Sequence, residues 1–244
     1  MKALTLAFQD DPRFAELKKH RDESGGIHHV WGMDRRITPL LMEALSDTKR
    51  FRLIVTYEER RAREIVEDYR FYSRQTFYYP AKDALFYSAD IHSNNTVQER
   101  LEIFKKIAEG RPCTVVTTIE GLMDKIPSIS HIIENILTIK VGDTLQLDTF
   151  SRKLTTLGYE KTSIVETPGQ FSVRGGIIDI FSLTEECPYR VELWGDDIDS
   201  IRSFDVESQR SMERVEEFVI YPSTEMVLDD VRISKGIAKL EKEH

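Results

Sequence analysis

"GQFSVRGGIIDIF", Gly169 to Phe181, decides how the second half of this chain is built. It reads as a β-strand of alternating residues, but Arg174, Gly175 and Gly176 stand where side chains should pack. Two adjacent glycines in a strand invite a bulge or the close approach of another backbone, and they leave Arg174 standing clear. The next strand-like run, "YRVELW", sends Tyr189, Val191 and Leu193 to the core and Arg190, Glu192 and Trp194 to the other face. Trp194 then either stands exposed beside Arg190, a pairing enriched at binding hot spots, or tucks under the charged terminal segment. If the two runs pair, Arg174, Arg190 and Trp194 make a compact basic and aromatic patch. Such a patch suits an acidic protein partner better than a DNA backbone.

Working outward, "TSIVETPG" and "DIDSIRSFD" are predicted as further strands. "GDDID", Gly195 to Asp199, reads as the hairpin turn between two of them rather than as a cation site. Upstream, "ILTIKVGDTLQLDTFSRKLTTLGYEK" predicts a strand, a turn at Gly142 and Asp143, and a helix capped by Asp148 and ended by Gly158. Residues from about 137 onward therefore form a smaller α+β domain on an antiparallel sheet. The last stretch, "TEMVLDDVRISKGIAKLEKEH", turns helical and charged and reads as the first piece of a segment cut off.

The first 130 or so residues alternate helical and strand-like segments, the pattern of an open, mostly parallel α/β sheet. "IHHVWGM" is read as its first strand, "FRLIVTY" and "CTVVTT" as buried parallel strands. "ERRAREIVEDYRFY", "NNTVQERLEIFKKIAEG" and "IEGLMDKIPS" supply helices, the second capped at Asn95 or Thr96 and stopped by Gly110, the third closed by Pro127. In such a sheet the turn after the first strand binds phosphate when it carries G-x-x-x-x-G-K-[ST]. Here Gly32 is followed by Ile37 in place of the second glycine and by Thr38 and Pro39 in place of the lysine and hydroxyl. The nucleotide cradle is missing, although Arg35 and Arg36 remain to grip an anion.

The 244 residues, 40% hydrophobic and 31% charged, are long enough for two domains with sizeable cores. A net charge of −8 argues against a protein that coats nucleic acid, so a DNA reading would rest on Arg174, Arg190, Arg202 and Arg210 alone. No apolar run reaches the length of a membrane span and the N-terminus lacks a secretory signal, which places the chain in the cytoplasm. Cys113 and Cys187 are expected as reduced, partly buried thiols. His28 and His29, adjacent in a strand, point to opposite faces and cannot chelate together, one packed and the other exposed. His20, His92, His131 and His244 lack ligand partners at useful spacing, and no G-x-S-x-G or H-E-x-x-H motif is present.

"GQFSVRGGIIDIF", "PYRVELWGDDIDSIRSFDVESQRS" and "GRPCTVVTTIEGLMDKIP" together resemble the N-terminal region of the bacterial transcription-repair coupling factor family and, more distantly, the excision-repair protein UvrB. The resemblance implies a UvrB-like domain over residues 1–135, a degenerate P-loop relative of a helicase motor. It implies a UvrA-binding α+β domain over 136–221, and over 222–244 the start of a segment that returns to the first domain. The family's UvrA surface, carried over residue by residue, falls on Arg174, Arg190 and Trp194, with tryptophan where the family has phenylalanine. In that family ATP, magnesium, DNA and RNA polymerase are handled by C-terminal motor and binding domains outside these 244 residues. The resemblance thus implies a recruiting module for nucleotide excision repair, with no cofactor and no catalysis of its own. A nucleotide- or DNA-binding helicase-like fragment is the alternative.

Overall fold

The computed structural model describes residues 8, 10–24, 26–46, 50–82, 91–227 and 230–243. The chain separates into two units, one within residues 1–86 and 110–124, the other within 87–109 and 125–244.

In the first unit, α1 (Pro12–Ser24) and α2 (Thr38–Leu45) precede β1 (Arg52–Thr56), α3 (Glu59–Arg70) and β2 (Thr76–Tyr79). The chain then forms α4 (Ile91–Ala108) of the second unit and returns for β3 (Thr114–Thr118) and α5 (Ile119–Met123). The three strands lie in the order β1-β3-β2, all parallel. Ile54, Tyr78 and Val116 on one face of this sheet pack against Ala62 and Val66 of α3. Arg52, Glu43 and Tyr69 close that side with a hydrogen-bonded triad, Arg52 and Tyr69 both donating to the Glu43 carboxylate at 2.8 Å.

Two expectations for this unit need correction. "IHHVWGM" is not a strand: Ile27–Met33 is irregular and largely exposed, so "GMDRRITP" is not the turn of a strand-helix unit. Both His28 and His29 are exposed, and His29 stacks on Trp31 with ring centroids 6.2 Å apart. β1 is not buried on both faces either. Ile54 is covered by α3, whereas Phe51, Leu53, Val55 and Tyr57 on the alternate positions are exposed. An amphipathic edge strand and a doubly buried central strand carry the same short apolar run, which is why composition could not separate them.

The second unit holds α4, α6 (Ile129–Glu134), β4 (Leu137–Lys140) and α7 (Leu147–Thr156), then β5 (Glu160–Lys161), β6 (Gln170–Arg174), β7 (Ile177–Ile180), β8 (Tyr189–Trp194), β9 (Asp197–Phe204), β10 (Ser211–Val215), β11 (Glu217–Ile220) and α8 (Asp230–Glu243). β10-β9-β8-β7-β6-β5 form one sheet in reverse chain order, antiparallel except for β5 beside β6. β4 and β11 pair separately and antiparallel. Phe171, Ile178, Ile180, Val191, Ile198 and Ile201 from one face of the large sheet meet Leu154 and Leu157 at α7, all fully or almost fully buried. Each such side chain contributes about 2 kcal/mol by leaving water.

Gly158 has a φ of +90° and ends α7 as expected, but Gln146 rather than Asp148 is the residue before the helix. α4 begins at Ile91, so Asn95 and Thr96 lie inside it rather than capping it. α5 ends at Met123, ahead of Pro127. "TSIVETPG" contains no strand; it is a loop whose Val165 forms a small second cluster with Phe181 and Phe204 on the other side of the sheet.

Candidate functional site

The opening stretch resolves into two strands, not one. Arg174-Gly175-Gly176-Ile177 is a hairpin turn joining β6 to β7, with φ +60° at Gly175 alone of the two glycines. Positive φ at only the first central position is the pattern of a type II′ turn, which asks for glycine there. Gly176 is glycine for a second reason: a Cβ there would meet the Leu193 carbonyl oxygen of β8 at 3.0 Å. Leu193 N–H in turn donates to the Gly176 carbonyl at 2.8 Å. The anticipated close approach of another backbone is therefore present, at the turn rather than inside a strand.

The register fixes which side chains share a face. Phe171 and Val173, Ile178 and Ile180, and Val191 and Leu193 all pack into the main core. Alternation puts Arg174, Asp179, Arg190 and Trp194 together on the opposite face. The one register shift lies between Glu192 and Leu193, where the partner steps from Ser200 to Ile198; the extra residue, Asp199, sits on β9, so β8 keeps its alternation to the end. Glycines 175 and 176 lie beside the tip of β8, so no side chain shields Trp194 from that direction, and the indole is 84% exposed.

The two arginines are not equivalent. Asp179, fully buried, faces Arg190 across the strand pair and accepts from its Nε at 2.7 Å and its Nη2 at 2.9 Å. Arg190 also donates from Nη1 to the Gln209 carbonyl at 3.2 Å and lies over the Phe204 ring, 4.6 Å from its centroid. Its hydrogen bonds to Asp179 push its pKa further above the ordinary arginine value. Only 15% of its side chain is exposed, which corrects the expectation of an open guanidinium. Arg174 donates from Nη2 to Asp179 Oδ2 at 2.6 Å and keeps 46% of its side chain exposed. The patch on the surface is thus Arg174 and Trp194, with Arg190 beneath as part of its support.

Asp179, Phe204 and Gln209 escaped the reading from sequence. A lone aspartate in "GIIDIF" was the available signal for the first, and it becomes informative only once the hairpin at Gly175 and Gly176 is recognised. Gln209, with φ 57°, closes the loop that brings its carbonyl to Arg190, while Asp205 in the same loop accepts from Ser208 and has its pKa lowered by that bond. Gly195, φ +67°, turns β8 into β9, so "GDDID" is a hairpin turn. Arg202 is half-buried and Arg210 exposed. Cys113 is buried and Cys187 half-buried, and burial followed by the Glu185 carboxylate pushes the Cys187 thiol pKa up. Among the described residues no cluster of three His, Cys, Asp or Glu is placed to hold a metal, and no helix is long and apolar enough to cross a membrane.

Residues 137–226 match the UvrB interaction domain. That part of the chain is similar to this family. It takes in every strand from β4 to β11 and the whole Arg174, Asp179, Arg190 and Trp194 constellation. Over almost its full length the chain is also similar to transcription-repair-coupling factors. The factor of Staphylococcus aureus (strain USA300) is 30% identical over 236 residues, 96% of this chain and 20% of that protein. The factor of Bacillus subtilis (strain 168) is 28% identical over 198 residues, 80% of this chain and 17% of that protein. The chain therefore spans about one fifth of the length of these curated relatives.

Proposed function

We propose that this chain is the UvrA-recruiting module of a transcription-repair-coupling factor, and that its contact surface is built on Arg174 and Trp194 of the UvrB interaction domain. The observation that carries this reading is an exposed indole and a half-exposed guanidinium on the same face of one sheet, inside the segment that matches a domain named for interaction. An exposed tryptophan next to an arginine is the composition of an interface anchor. In the longer protein the module would serve an ATP-driven DNA translocase that displaces stalled RNA polymerase, with the motor and polymerase contacts made by residues beyond this chain. The first unit is read as a degenerate relative of a helicase motor that does not bind nucleotide, because Ile37, Thr38 and Pro39 stand where a phosphate loop needs glycine, lysine and a hydroxyl.

Calorimetric titration of the chain with UvrA, then with duplex DNA and with Mg-ATP, tests the reading. It expects a saturable heat with UvrA alone, and a loss of about 30-fold or more in affinity for Trp194→Ala, the scale of a hot-spot residue. Equal affinity of parent and Trp194→Ala would remove the surface, and binding of ATP would reinstate the helicase-like alternative.

A further inference from the structure

We propose that Asp179 is the positioning residue of the recruiting surface, holding Arg174 in the orientation in which its unused hydrogens meet a single carboxylate of the partner. The inference rests on the recruiting role above and concerns how one of its contact residues is aimed. Asp179 is a fully buried carboxylate that faces two arginines. Arg190 occupies both of its oxygens in a fork, and Arg174 takes the remaining position on Oδ2 with one Nη2 hydrogen. One carboxylate between two guanidinium groups leaves a positive charge over, and Arg174 is the member of the pair that meets solvent. Ser172, facing Asp179 from β6 and almost fully buried, does not donate its hydroxyl to that carboxylate, so Oδ2 stays available to Arg174.

Among the described residues the Arg174 side chain donates to nothing besides Asp179, so its Nε–H, its Nη1 hydrogens and the second Nη2 hydrogen are unspent on an exposed side chain, and that Nη2 hydrogen still makes a two-pronged donor with Nε–H or with Nη1. A planar guanidinium pinned at one nitrogen presents the others in a fixed direction, the geometry that suits a carboxylate acceptor and that an ammonium cannot reproduce. The surroundings favour one acidic side chain over a polyanion. Arg202 and Arg214 follow Arg190 across the same face, but at the hairpin end that carries Trp194 the acidic Glu192, Asp196, Asp197 and Asp199 repel a string of phosphates.

The test is the affinity of the 244-residue chain for UvrA in Arg174→Ala, Arg174→Lys, Asp179→Asn and the Arg174→Ala/Asp179→Asn double variant, with urea unfolding of each. The expected result is a loss of about tenfold or more in all three single variants, within the range of charge-assisted contacts. The double variant is expected to bind no worse than Arg174→Ala, because Asp179 acts on binding only through Arg174. An Asp179 that supports only the fold would add its affinity loss to that of Arg174→Ala in the double variant, which overturns the proposal; a lower unfolding midpoint for Asp179→Asn is expected in either case, because the carboxylate also holds Arg190. If Asp179→Asn binds like the parent while Arg174→Ala is weakened, the positioning role fails and the recruiting role stands. If Arg174→Ala binds like the parent, the recruiting surface itself is wrong at Arg174. Should Asp179→Asn not fold, Arg174→Lys decides: parental affinity with lysine means that charge alone suffices and contradicts the fork.

Discussion

Arg190 and Trp194 sit four residues apart on one strand face and are expected to fail in opposite ways when removed. Arg190→Ala leaves Asp179 buried with one partner fewer and empties the space over Phe204, so it should cost about 3 kcal/mol of stability, the scale of a broken buried ion pair. Urea unfolding measures this, and an unchanged midpoint would show that the pair is not structural. Trp194→Ala removes a side chain that is 84% exposed and should change stability by less than about 0.5 kcal/mol while weakening partner binding. The contrast matters for interpretation, since a lost interaction in Arg190→Ala reports folding as much as contact. From the sequence the two looked alike because period-two alternation tells which face a residue occupies and not what covers that face. The loop carrying Gln209 and the Phe204 ring supply the cover, and both lie beyond the end of β8.

At the scale of elements, the second unit depends on a segment with little regular structure, Tyr221 to Val227, that is fastened along its whole length. Tyr159 donates from its hydroxyl to the Tyr221 carbonyl at 2.7 Å, and burial raises that phenol's pKa. Ser223 N–H donates to the Leu157 carbonyl at 2.8 Å, the Glu225 carboxylate pairs with buried Arg100, and the Val227 carbonyl meets His131 Nε2 at 3.2 Å. Gly158 is the tight point. Its φ is +90°, and a Cβ there would lie 2.7 Å from Thr224 Cγ2. Gly158→Ala should therefore cost about 2 kcal/mol in backbone strain alone and lift the segment from α7. Faster hydrogen exchange at Ser223 would register the change, and parental exchange there would refute it. The helix stop at Gly158 was legible because glycine at a helix end has one usual meaning. The segment beyond it was not, because its bonds are made with residues about 60 to 130 positions earlier.

The whole molecule carries a net charge of −8, which outweighs the Arg174, Arg190, Arg202 and Arg214 guanidinium groups that share the candidate face. Retention on duplex DNA is accordingly expected to be absent at about 0.15 M salt, where charge contacts beyond roughly 8 Å are screened. Retention with a steep salt slope would favour a nucleic-acid role instead. The mixed α/β character and the antiparallel sheet were legible in the sequence, since alternation over "YRVELW" and "DIDSIRSF" matches β8 and β9 directly. The first strand placed at "IHHVWGM" was not, because β-branched and aromatic residues favour a strand only where neighbouring strands exist to pair with. The central claim is that a partner lands on the two hairpin tips of the second unit. Amide hydrogen exchange of the chain with and without UvrA tests it most directly: the account predicts slowed exchange at residues 174–177 and 192–197, whereas unchanged exchange there with protection elsewhere would contradict it.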